Sequence, residues 1–113
     1  TVPLRIVSRG LSEIADSAYR LLIRTSKVSS PSAIKAIGTI PQGEEKDVMR
    51  LILEELRQHS NWSEIPSGFA GAFLLAQELE ETRAQFKAFI SEVMPKLKPW
   101  FKSLIKDEVW FNS

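Results

Sequence analysis

The chain contains no cysteine. Disulfides, thiolate zinc sites and cysteine nucleophiles are therefore excluded together. The absence fits a reducing compartment, although secreted proteins also do without cysteine. No apolar run reaches the length of about 18 residues that a transmembrane helix needs. No signal-peptide pattern opens the sequence, and we read the chain as intracellular. Histidine occurs once, at His59. Nucleophile elbows, phosphate-cradling glycine loops and paired-histidine motifs are all missing. The expectation is a non-enzymatic protein with no cofactor, no metal and no small-molecule substrate. Aromatic residues are scarce in the first half: nine of the ten lie at or beyond Trp62, and only Tyr19 precedes it.

What is present is ordinary for a globular domain. The 113 residues are 43% hydrophobic and 26% charged, which fits one domain. A chain of this size buries roughly 65% of its unfolded surface, enough for a core without staples. It opens Thr1-Val2-Pro3 and closes shortly after an aromatic cluster. We expect residues 1–113 to be a single helical domain excised from a longer protein.

The net charge is only +1, but it is unevenly spread. Residues 1–37 carry +4, residues 38–94 carry −5 and residues 95–113 carry +2. Opposite blocks can pair inside one fold, or between copies arranged head to tail.

Helical periodicity runs through the sequence. A first helix is expected from Pro3 to Thr25, with Leu4, Val7, Leu11, Ile14, Ala18, Leu21 and Leu22 on one face. Gly10 weakens it by about 1 kcal/mol relative to alanine. Ser30-Pro31 reads as the N-cap and first turn of a short helix to Ile37, closed by Gly38 in the left-handed region. A third helix, Glu44 to His59, has Glu44, Glu45 and Asp47 at its start, where the helix dipole favours anions. Between Ala72 and Met94 there is neither glycine nor proline. Phe69, Ala72, Phe73, Ala76, Leu79, Phe86, Ile90 and Val93 recur there at helical spacing. One uninterrupted helix over about residues 67–94 is expected, its last 23 residues alone roughly 35 Å long. Pro95 and Pro99 then break the chain, and a last helix from Pro99 to Lys106 follows. The expected fold is an all-α single bundle of four to five helices packed along the long one, with a proline-delimited C-terminal helix.

Candidate sites are few. Glu55 and His59 share a helix face, but one histidine and one glutamate make a poor metal site. Arg5, Arg9, Arg20, Arg24 and Lys27 lie in one sector of the first helix and could track phosphates; Glu13 and Asp16 interrupt that sector, and no aromatic stacks within it. Residues 95–111 are basic, aromatic and amphipathic, a composition that suits a partner's groove or an anionic membrane surface. Within them Trp100, Phe101, Trp110 and Phe111 are the candidate contacts. Arg83 falls inside the apolar arc of the long helix, either snorkelling at its rim or serving as a polar specificity residue between helices. Ser30 also fits a proline-directed phosphorylation site, with phosphate favoured at a helix start.

The function these features suggest is non-catalytic protein–protein interaction, as a scaffold, adaptor or assembly domain. The partner would be another protein or a second copy, held in a groove between the first and third helices or on the Trp100–Phe111 surface. The alternative is a nucleic-acid-binding accessory domain using the basic face of the first helix. Membrane-surface contact through residues 95–111 is a third reading.

Overall fold

The computed structural model describes residues 3–19, 31–60, 62, 66–106 and 111, with the side chains of residues 16–19, 32–33 and 104 left aside. Among them the elements are helices α1 (Leu4–Tyr19), α2 (Pro31–Ile37), α3 (Glu45–Leu56), α4 (Phe69–Glu78), α5 (Arg83–Val93) and α6 (Pro99–Lys106). Short 3-10 turns cover Glu80–Thr82 and Met94–Lys96. The fold is an all-helical bundle with a radius of gyration of 13.0 Å.

Local chemistry sets most of the boundaries. The Pro3 carbonyl accepts from the N–H of Ile6 and Val7 at 3.0 and 3.2 Å, opening α1. The helix runs through Gly10 despite the cost of glycine there. The Tyr19 boundary is where the described residues stop, so the expected continuation to Thr25 lies outside them. α2 matches its expected span, but Gly38 is not left-handed; positive φ occurs at Gly43 and Gly68 instead. After α2 the chain tightens into turns, with the Gly38 N–H donating to Ile34 and the Thr39 N–H to Ala36. α3 carries Glu45 and Asp47 in its first turn, as its dipole favours.

The expected continuous helix over residues 67–94 does not form. It divides at Leu79, whose φ of −118° and ψ of 104° are extended. α4 and α5 are each only about 15 Å long. No glycine or proline makes this break; side chains do. The Thr82 hydroxyl donates to the Leu79 carbonyl at 2.7 Å and lies 3.2 Å from that of Leu75. Arg83 Nε donates to the Ala76 carbonyl at 2.8 Å, and its Nη2 to that of Gln77 at 2.9 Å. The last carbonyls of a helix have no partners within it, and here Thr82 and Arg83 supply them. A cation at that end also suits the helix dipole. Glu80 and Glu81, unfavourable at the C-terminal end of α4, become first-turn acids of the segment leading into α5.

The centre of the bundle is accordingly the short α4. Every residue from Phe69 to Ala76 is buried, as expected of a helix apolar on all sides. α1, α2, α3 and α5 all pack against it. At the α1–α4 contact, a Cβ added to Gly71 would lie 3.2 Å from Ser12 Cα. Glycine thus permits that close approach.

The aromatic residues fill the angle between α4, α5 and α6. Phe69 meets Phe101 edge-on with ring centroids 4.8 Å apart, and packs on Phe73 and Phe86 at 6.0 and 5.7 Å. Trp62 closes the cluster against Phe89 at 5.9 Å, and its indole N–H donates to the His59 carbonyl. The rings pack between α4, α5 and α6, where the sequence places them around a straight spine.

Candidate functional site

Among the described residues, two of the exposed large apolar side chains, Ile6 and Ile14, lie on α1. Positions four apart on a helix advance by about 40°, so Ile6, Gly10 and Ile14 form a nearly straight line along it. Core contacts occupy another side of the same helix, where Ser8, Leu11 and Ala15 are buried. Ile6 is 60% exposed and Ile14 38% exposed. Ile14 was expected on the buried face; it stands at its edge because the core contacts centre on Leu11 and Ala15.

These residues line a groove of about 420 Å³ between α1 and α2. Ile6, Val7, Gly10, Leu11 and Ile14 supply its α1 side, and Lys35, Ala36 and Thr39 its opposite side. The Thr39 hydroxyl donates to the Ala36 carbonyl at 2.6 Å, so its hydrogen is used within the turn. Lys35 is the one charged lining residue among those described. A third isoleucine, Ile34 beside it, is 40% exposed. The expected groove between the first and third helices is replaced by direct packing of α1 on α3.

The other candidates divide. Arg5 and Arg9 are exposed on α1, and Arg9 Nε lies 3.9 Å from Glu55. Arg20, Arg24, Lys27, Ser30 and Trp110 lie outside the described residues. Phe101 is a core residue, fully buried against Phe69 and Trp62, and this corrects its reading as a partner contact. Trp100 is half-buried with its ring 5.3 Å from that of Phe101. Phe111 packs partly buried against the core, with Lys87 Nζ 6.0 Å from its ring centre. On the apolar face of α6, Phe101 and Ile105 are both buried. The lysine-rich helix thus gives these two side chains to the core.

Arg83 is half-buried and tied to the end of α4 by its bonds to the Ala76 and Gln77 carbonyls. His59 is exposed, and Glu55 is directed to Arg9 across to α1. Among the described residues no three histidine, aspartate or glutamate side chains converge to hold a metal ion. Among them, too, no helix is long and apolar enough to cross a membrane.

Sequence reasoning missed Ile6, which lies between the apolar and basic sectors of α1. The available signal was the pairing of two isoleucines about a glycine that weakens its own helix. Comparison with protein-family models, with curated proteins and with solved structures finds no match to this chain.

Proposed function

We propose that this chain is a non-catalytic helical interaction domain that binds protein through the groove between α1 and α2. The observation that carries this reading is the exposure of Ile6 and Ile14 along an open apolar groove of about 420 Å³. Scattered exposed apolar residues are normal, but aligned ones in a concave surface mark interaction sites. A groove with an apolar floor suits the apolar face of an amphipathic helix, whose anchors fall at i, i+3 or i+4, and i+7. The described part of the basic sector favours protein over nucleic acid: Arg5 and Arg9 stand with Glu13 on the same helix, and Arg9 faces Glu55. Carboxylates in that position repel a phosphate backbone.

The test is photo-crosslinking in cells. A photoreactive amino acid replaces Ile6 in one variant and the exposed Ala84 of α5 in a control. Discrete protein adducts from position 6, absent from position 84, support the proposal. Adducts to RNA alone, or none from position 6, overturn it.

A further inference from the structure

Gly10 makes no close packing contact with the described residues beyond its own helix. A Cβ built on it meets nothing within 4 Å among the described residues. Gly71, the other glycine inside a helix, has such a role against Ser12. Glycine in a helix interior costs about 0.5–1 kcal/mol relative to alanine, and nothing in the described fold offsets that cost at position 10. Removing a side chain also lets another backbone come close. The open side of Gly10 faces the groove, which it lines with Ile6 and Ile14.

The pattern has a symmetry that suggests the occupant. Ile6 and Ile14 stand equally far from Gly10 along the chain, four residues on either side. A two-fold axis beside Gly10 would set a second α1 antiparallel to the first, so that Ile6 of each copy faces Ile14 of the other. A two-fold interface uses the same patch twice and must be self-complementary; this line of residues is. The charges agree with it. Arg5, Arg9 and Glu13 lie along one edge of that line. In the antiparallel pair Glu13 of one copy falls, along the axis, midway between Arg5 and Arg9 of the other, about 3 Å from each. Four opposite-sign approaches then lie along that edge against one like-sign approach, between the two Arg9 side chains, whereas a parallel two-fold pair would turn this edge towards the other side of the partner helix.

We infer that α1 is a homodimer interface, in which α1 of a second copy enters the groove antiparallel and crosses at Gly10. This rests on the reading of the groove as a protein-binding surface and names its occupant. Helix axes pack 8–10 Å apart depending on the side chains at the contact, and glycine at the crossing allows the short end of that range. Gly10→Leu fills the crossing point and raises the dimer dissociation constant about tenfold or more, a loss of about 1.4 kcal/mol.

The lack of native cysteine makes the geometry testable by disulfide trapping in the purified full chain. A disulfide forms only when the two Cα atoms are within about 7 Å. Gly10→Cys is expected to crosslink to itself under mild oxidation. Ile6→Cys and Ile14→Cys each stay uncrosslinked alone, and crosslink to one another when mixed. Ala84→Cys reports random collision and stays uncrosslinked. Selective 6–6 and 14–14 crosslinks indicate a parallel pair and overturn the proposal. So does the absence of crosslinks from every α1 position in a variant whose circular dichroism matches the native chain. In that last case cellular adducts from position 6 to a different protein keep the groove as an interaction site and discard only the second copy; no adduct at all discards both.

Discussion

The guanidinium of Arg83 donates to the carbonyl of Ala76 across the turn that separates two helices, at 2.8 Å. The side chain begins α5 and completes α4. Together with its bond to Gln77 and those of Thr82, it fixes the bend at Leu79 and hence the angle that the aromatic cluster fills. Arg83→Met keeps the stem and removes both donors. It is expected to destabilise the fold by about 1–3 kcal/mol, measured by urea unfolding, with helical circular dichroism unchanged. Arg83→Lys should recover only part of the loss, because an ammonium does not reproduce the planar fork of guanidinium. No change in the midpoint for Arg83→Met would show that the bend stands without it.

The two helical glycines are expected to respond in opposite directions. Gly10→Ala removes unfolded-chain entropy where the added methyl meets open space, and should stabilise by about 0.4–1 kcal/mol. Gly71→Val forces branched carbon against Ser12 Cα, 3.2 Å from the first added atom, and should cost about 1–3 kcal/mol. Thermal unfolding at low protein concentration reads both without a contribution from association. Destabilisation by Gly10→Ala would mean that the glycine serves the interior.

Phe101 and Trp100 are neighbours with different exposures, and their truncation should separate. Phe101→Ala opens a cavity beside Phe69 and Trp62 and is expected to cost about 3–5 kcal/mol. Trp100→Ala, from a half-buried position, should cost less than half of that. Equal losses in chemical denaturation would contradict the placement of Phe101 at the centre of the ring cluster.

Arg57 and Glu92 join the end of α3 to α5 through two contacts of 3.0 and 3.4 Å, while both side chains remain well exposed. Exposed pairs contribute about 0–1 kcal/mol and are screened by salt. Glu92→Gln is therefore expected to lower stability by less than about 1 kcal/mol in dilute buffer, with the difference fading in 1 M salt. A larger loss that persists in salt would assign the pair a structural role beyond its charge.

Much of the fold is legible before any coordinates. Pro31, Pro95 and Pro99 mark boundaries because proline restricts its own and the preceding residue's geometry locally. The acids at the start of α3 and the late aromatic residues are equally plain. The break at Leu79 is not, because Arg83 reaches carbonyls six and seven residues behind it, a contact that exists only once the helix has turned back. Two signs were nonetheless present. An arginine interrupted an apolar arc, and Glu80-Glu81 repeated the acidic opening already seen at Glu44-Glu45. The groove was less accessible still. Periodicity places Ile14 with the core residues, and only the packing shows that the core contacts centre on Leu11 and Ala15 instead. Phe101 shows the converse: an aromatic residue beside lysines reads as a surface anchor until its burial is known.

Self-association through α1 is decided by the mass of the purified chain in light scattering across a range of concentrations, set beside Ile6→Ser/Ile14→Ser. The native chain should rise from 12.8 kDa towards twice that mass as concentration increases, while the double variant keeps its helical signal and stays monomeric. A native chain held at 12.8 kDa throughout, or a double variant that dimerises equally well, would contradict α1 as the interface.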